Sequence, residues 1–590
     1  MLTRLVSVVA GVAVVVAGLA FASPSYAEEE EINSVGYVSW ENPIYAPVDN
    51  GCGTYRFVFS NDSDSAREFS LTNSLGEALV AFSIPPLNRG TYRRVRAKIC
   101  DAQLVDGLGP YTATVTFSGA DSTPRTAPLM FRARPDMSPP AQCYSDPTHG
   151  GVSAEDAIEI ASFADLECLR ASSDDWDKHV RLVADISGGG AVWKDHAIGT
   201  KEIPFSGTFD GSGHTISDLN IRFTKKSTDR GTRAGLFGVV DTLTDEATIS
   251  GVTFSGDVSG SHVVGGLVGY AGLALIRNVA VSGAVKGSGV RVGGLVGDAE
   301  YSSIHGAVAS GKVKGWGHVG GLLGYGLGVD IEDSVASGRV IGNRSATKEV
   351  DVTVGGLVGY QEYGAIIRSS ATGKVTGYEL VGGLTGCTEE GEIIDSFATG
   401  DASGGWQVGG LVGEVIMWAE TGYGSYIQGS YASGNATATK GEVGGLIGNA
   451  DVLEIENSYA TGDVSGLYYI GGLIGDAGNL EVDHAYSTGR VQAQKKKAVG
   501  GLIGRLSRVF KEYVVASYWN TKTSKQKKSA GGQGKSTAWM TSLSKYQAKG
   551  WDIAAGWSSA EGAPAWGICP KANSGYPFLN ATYAVNPCVR

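Results

Sequence analysis

The 590-residue chain offers few groups for bond-breaking chemistry. Its eight histidines, at 149, 179, 196, 214, 262, 305, 318 and 484, are never followed by glutamate. A His-Glu-x-x-His zinc pair on one helix face is therefore absent. Asp210 and His214 lie close together, but Gly211 and Gly213 between them make a turn, which uses the same residue types. The run Gly531-Gly532-Gln533-Gly534-Lys535-Ser536 resembles a phosphate loop, yet Ser529 stands where its leading glycine belongs and no strand–loop–helix context surrounds it. The Gly-Gly-x-Gly-x-Asp calcium repeat is missing. Asp330, Glu332, Asp333, Asp395, Glu454 and Glu456 recur near equivalent places. A glycan hydrolase or lyase needs such carboxylates to converge in one groove. Taken singly, they read as the surface of an acidic chain of net charge −12. No cofactor or metal is implied.

Two columns of side chains suit binding better than catalysis. Ser282, Ser310, Ser337, Thr372, Thr399, Ser433, Thr461 and Thr488 recur before a glycine, and Phe397, Tyr431, Tyr459 and Tyr486 stand two residues ahead of the last members. A spacing of two puts both columns on one strand face. Facing outward, aromatics and hydroxyls repeated every ~4.8 Å would suit a long glycan; facing inward, they are core and turn packing, which is the expectation. Charge is uneven as well. Between Tyr486 and Gly550 stand fourteen Lys and Arg, including Lys495, Lys496 and Lys497, against the single acid Glu512. Such an end could dock on anionic wall polymers or simply be solvated.

The elements that carry these columns follow from a repeat. Val-Gly-Gly-Leu-Val-Gly and close variants occur at 264–269, 292–297, 319–324, 354–359, 381–386, 408–413, 443–448, 470–475 and 499–504, with a degenerate copy at 234–238. From Gly265 the steps are 28, 27, 35, 27, 27, 35, 27 and 29 residues. A fixed period of this size means a solenoid or array. The apolar runs are short, β-rich and cut by glycine, with no helical period. One unit has room for about three short strands, making one coil of a parallel β-helix whose core exists only in the stack. The two longer steps place extra residues at 341–352 and 414–424.

The Gly-Leu-Val-Gly and Gly-Leu-Ile-Gly tetrads resemble the GLUG motif of bacterial secreted and surface proteins. That motif also occurs upstream of the protease domain in some IgA-cleaving metallopeptidases. The resemblance runs over roughly 150–580. It includes the lead-in Ile203-Pro204-Phe205-Ser206-Gly207-Thr208-Phe209-Asp210-Gly211-Ser212-Gly213-His214-Thr215-Ile216, Ser517-Tyr518-Trp519 and Gly575-Tyr576-Pro577-Phe578. It implies an all-β solenoid and says little of activity; the IgA-protease activity does not carry over, since the zinc motif of the peptidases is absent.

Residues 1–27 have the composition of a secretory signal peptide, with Arg4, an apolar stretch and Ser25-Tyr26-Ala27. The mature chain is expected to carry no transmembrane segment, lipoprotein cysteine or sortase signal. Residues 28–136 read as a small immunoglobulin-like β-sandwich of regularly spaced short strands. Residues 137–233 are linker, capping helix and solenoid lead-in, with Ser162 and Asp165 opening the helix. Residues 234–520 are the solenoid, and 521–590 a basic cap closed by a disulfide. The seven cysteines pair by position as Cys52–Cys100, Cys143–Cys168 and Cys569–Cys588. Cys387 is left over in a polar, variable column expected to be exposed.

The functional expectation is a secreted, non-catalytic binding or adhesion scaffold outside the cell. Its partners would be cell-wall polymers, glycans or host surface proteins, with no nucleic acid. The binding face would comprise Phe397, Tyr431, Tyr459, Tyr486 and Lys495–Lys497. A carbohydrate-active β-helix enzyme and a passive spacer are the rival readings.

Overall fold

A computed structural model describes residues 143–146, 150–223, 233–242, 247–343, 352–417, 424–495, 497–506, 513–560 and 562–589, and for residues 30–132 the strands alone. The segment 1–27, Lys496 and the inner parts of both longer steps lie outside the described residues.

The chain divides into two units, Met1–Ala133 and Arg134–Arg590. In the first, strands form a four-stranded antiparallel sheet and a five-stranded sheet that contains one parallel pair. Cys52 lies directly opposite Cys100 on neighbouring antiparallel strands. The two cysteines therefore belong to one sheet, whereas the immunoglobulin bridge joins two. Their bond lies outside the described side chains.

The second unit is a right-through stack of coils with three faces. Face A has ten short strands, one per coil, from Arg233–Ala234 to Val499–Gly500. Faces B and C are sheets of 21 and 22 strands. Nearly every pairing between coils is parallel and in register; Val264 lies beside Val292, and Val292 beside Val319. The leucine of each tetrad shows why. Leu295 donates its N–H to Leu322 at 2.9 Å, Leu322 to Leu357 at 2.8 Å, Leu357 to Leu384 at 2.7 Å and Leu384 to Leu411 at 2.8 Å. Each of these side chains is also fully buried in one core that runs from Ile158 to Trp519. One residue per coil thus satisfies its backbone through the next coil and fills the interior. Both 35-residue steps leave the register intact: Val340 pairs Val375 across the first, and Val412 pairs Ile447 across the second.

The paired glycines permit that stacking. A Cβ at Gly383 would sit 1.9 Å from the carbonyl oxygen of Gly410 on the next coil. The corner between faces B and C needs a left-handed residue in every coil, filled by Asn278, Gly306, Asp333, Arg368, Asp395, Gly429, Asn457, His484 and Ala516. Just inside that corner runs a serine ladder. Ser334, Ser369, Ser396, Ser430 and Ser458 are buried, and each hydroxyl accepts the backbone N–H of the equivalent residue one coil earlier, at 3.0–3.2 Å. Each also donates to the carbonyl two residues before it. The corner's backbone groups are thereby satisfied without water.

The open end is closed by helix Phe163–Ala171, whose Asp165 N–H donates to Ser162 Oγ. Leu166, Leu169 and Trp176 cover the first coil, and Trp176 Nε1 donates to Leu169 O at 2.7 Å. Cys143 and Cys168 are disulfide-bonded, with Cα atoms 5.5 Å apart. At the other end, Gln533–Lys535 pairs with Tyr518–Asn520 and extends face C. The run that resembled a phosphate loop is a strand edge. Cys569 and Cys588 are bonded at a Cα separation of 5.9 Å.

Replacing Gly383 by alanine forces coil 383 away from coil 410. A loss of about 1–3 kcal/mol is expected, against less than about 0.5 kcal/mol for Ser433→Ala on the exposed surface. Thermal unfolding of the two variants side by side checks this, and equal midpoints would contradict it.

Candidate functional site

The outward side chains of face C form a grid. Successive coils contribute Ala280, Ser282, Ala284 and Lys286; then Val308, Ser310, Lys312 and Lys314; Val335, Ser337, Arg339 and Ile341; Ser370, Thr372, Lys374 and Thr376. The next three coils give Phe397, Thr399, Asp401 and Ser403; Tyr431, Ser433, Asn435 and Thr437; Tyr459, Thr461, Asp463 and Ser465. The alternate residues, such as Ala336, Val340, Ala398 and Ala402, point into the core. The hydroxyl column from Ser282 to Ser433 is exposed. It faces outward, where packing had been expected.

The aromatic column also points away from the solenoid core, but it is not an open binding face. Tyr431, Tyr459 and Tyr486 are buried, and Phe397 is half-buried. The rings stack at 5.0, 4.8 and 5.0 Å between centroids. The C-terminal segment folds back over them, laying Trp551, Trp566 and Tyr576 against the column. Trp566 Nε1 donates to Asn457 Oδ1 at 2.8 Å, and the Tyr486 hydroxyl donates to Pro577 O. Burial raises the Tyr459 and Tyr486 hydroxyls well above their ordinary range. The basic residues Lys495 and Lys497 are exposed in a turn, with Lys497 Nζ 5.2 Å from the Tyr469 ring centre.

Past the cap's reach, face C has a shallow groove of about 390 Å³ lined by Lys374, Asp401, Ser403, Asn435, Thr437 and Arg490, among others. Its floor is knitted along the axis. Asp401 Oδ1 accepts from Asn435 N at 3.0 Å, Asn435 Oδ1 from Asp463 N at 2.9 Å, and Asp463 Oδ1 from Arg490 N at 2.8 Å. These groups are hydrogen-bonded from coil to coil, exposed and in register.

The corner between faces A and B behaves differently. It is concave, so outward residues of the two faces meet and bury one another. Arg291 pairs with Asp298 and lies 4.1 Å from the Tyr325 ring centre. Tyr325 stacks on Tyr360 at 5.6 Å and donates to Glu362 at 2.5 Å. Burial and the Arg291 charge push His318 down to about 3, so it is neutral. Cys387 was expected to be exposed; it is fully buried in this corner, beside Tyr360. A polar column can be buried when two faces fold onto it. Glu389 is also buried and accepts the Tyr360 hydroxyl. Burial, with Glu362 and Glu390 adding repulsion, pushes its carboxyl up to about 7.

The candidate carboxylates do not converge in one groove. Asp330 accepts the Ala365 N–H at 3.0 Å; Glu332 and Asp333 hold Arg368; Glu456 accepts from Tyr426 at 2.9 Å and from Gln428 at 3.1 Å. Asp395 occupies a left-handed corner and Glu454 an exposed strand position. They are spread along face B instead of lining two walls of a cleft. His214 meets Asp185 at 3.2 Å, while Asp210 accepts the Ser212 N–H at 2.8 Å in a turn. Among the described residues, no three His, Cys, Asp or Glu converge to hold a metal ion, and no helix is long and apolar enough to cross a membrane.

A family model described as the GLUG motif matches residues 352–376, which span one coil: its strand on face A, its two on face B and its two on face C. This chain carries the GLUG motif. The chain is also 31% identical over 203 residues to halomucin of Haloquadratum walsbyi, covering 27% of this chain. The chain spans 2% of the length of that relative. Among solved structures, a candidate immunoglobulin A1 protease from Bacteroides ovatus aligns at 19% identity, covering 74% of this chain and 95% of its own, with a TM-score of 0.25. A chain titled IgA1 Protease aligns at 13%, covering 85% of this chain and 30% of its own, with a TM-score of 0.24. The architecture of the GLUG stack rests on its strand register, not on scores of this size.

Glu389 gives a pH signature. Its folded carboxyl titrates above its ordinary value of 4.5, so the folded state holds a proton that the unfolded chain has lost. Its contribution is fully favourable below about 4.5 and is lost as pH rises to about 7. Glu389→Gln should flatten this part of the stability–pH curve, with a gap of order 2–3 kcal/mol at pH 8. Thermal midpoints across the range test it, and parallel curves for both proteins would contradict it.

Proposed function

We propose that this GLUG protein is a secreted, non-catalytic scaffold that holds an extended carbohydrate along face C. The grid of exposed hydroxyl, amide and charged groups repeating once per coil supports this reading most. A repeating ligand meets a repeating surface, so weak contacts add along its length without a deep pocket. The groove floor is held by hydrogen bonds between coils, so its side chains lose little freedom on binding. The apolar stretch and Ser25-Tyr26-Ala27 site at the start of the sequence, and the likeness to halomucin, support export. The paired, dispersed carboxylates favour binding over hydrolysis.

Residues 28–590 incubated with insoluble wall preparations and a panel of neutral glycans should be retained without new reducing ends in the supernatant. Asn435→Ala with Thr437→Ala should lower retention several-fold with an unchanged circular-dichroism spectrum, and loss of the Asn435–Asp463 hydrogen bond should cost no more than about 1.5 kcal/mol in melting. Released sugar would make the protein an enzyme. Retention by no glycan would leave only a spacer.

A further inference from the structure

We propose that the middle of face C is a docking surface for an anionic polysaccharide lying along the solenoid axis. The proposal rests on the reading of face C as a polymer-binding face, and it names the polymer's charge.

Four consecutive coils carry it. Lys312, Arg339 and Lys374 precede the register-paired Val313, Val340 and Val375, so they form one column. Lys286 and Lys314 are themselves register partners in a second column, two residues further along the strands. All five cations are exposed. The other outward residues of these coils on face C are Ser, Thr, Ala, Val and Ile, so no acid lies among them. The columns change outside this window. The same column holds Asp257 before it and Asp401 and Asp463 after it.

The charges stay unspent. Among the described residues, none of the five has a carboxylate within ion-pair distance, whereas Arg170, Arg181, Arg291, Arg368 and Arg505 each hold one. Like charges about 4.8 Å apart repel by roughly 1 kcal/mol per pair even in water. A chain of net charge −12 that nevertheless gathers cations in two adjacent columns has built a local positive field. An anionic polymer relieves that repulsion and releases its counterions. Ser282, Ser310, Ser337 and Thr372, exposed beside the cations, supply hydroxyl partners for sugar oxygens. Val308, 42% exposed, and the half-buried Val335 and Ala280 give a narrow apolar strip for sugar faces. Nucleic acid fits less well. Single strands stack on aromatic platforms, and on face C these four coils present none.

The test uses full-length mature protein with dextran sulfate and, as separate probes, neutral dextran of equal length and a DNA duplex. Wild type should capture dextran sulfate, more weakly at ~300 mM than at ~50 mM salt. The exposed triple variant Lys312→Ser, Lys314→Ser and Arg339→Ser should weaken capture about tenfold or more and flatten its salt dependence. Its circular dichroism and melting should match wild type. The control triple Lys525→Ser, Lys527→Ser and Lys528→Ser, in the exposed part of the basic end, should change capture less than about twofold. No capture by wild type, equal loss in both triples, or equal capture of duplex DNA would overturn the proposal. If neutral glycans are still retained through Asn435 and Thr437 in that case, the polymer reading stands and only the charge assignment fails.

Discussion

Close backbone contact between consecutive coils is the constraint on which the rest depends. The leucine ladder and the Gly-Gly columns bring equivalent residues into register, and everything outside inherits that register. A side chain at the second glycine would collide with a carbonyl of the next coil. Keeping glycine there lets each coil bond to its neighbours at the spacing of a parallel sheet. The core then needs only one leucine and a few Val, Ile and Ala per coil, because each coil's apolar surface is covered by the coils on either side. Longer steps are tolerated because the extra residues leave and re-enter between positions that remain paired.

Register also turns sequence columns into surfaces, and the shape of the coil decides their fate. On flat face C, outward residues stay in solvent and make a regular display. In the concave corner between faces A and B they meet across the fold, giving a stack in which half-buried Arg291 and Tyr360 flank the buried Tyr325, and the raised Glu389. At the far end the display is covered by the chain itself, as Trp551 and Trp566 lie on the tyrosine column. The same repeat thus yields an exposed grid, a largely buried polar seam and a capped end.

Much of this was legible in the sequence. The tetrad period, the solenoid class, the capping helix opened by Ser162 and the turn role of Asp210 followed from spacing and turn chemistry alone. What was hidden depended on distant contacts. The fate of Tyr486 is set by Pro577 and Asn573, 91 and 87 residues away, which no local pattern reports. Cys387 sits in a polar column that a concave corner buries. The serine ladder was readable in principle, since Ser334, Ser369, Ser396, Ser430 and Ser458 hold one place in the period. It was overshadowed by the exposed hydroxyl column nearby. The cation stripe was also in the sequence, masked by the denser basic end.

The most direct test of the account is a distance along the face. Nitroxide labels at Ser282→Cys and Ser433→Cys, in a Cys387→Ala background, sit on one exposed column five coil steps apart. In-register stacking predicts a single narrow distribution centred near ~24 Å, widened only by the label tethers. A centre beyond roughly 35 Å, or a distribution with no maximum, would mean that the coils do not stack at the spacing of a parallel sheet. The grid on face C would then not exist.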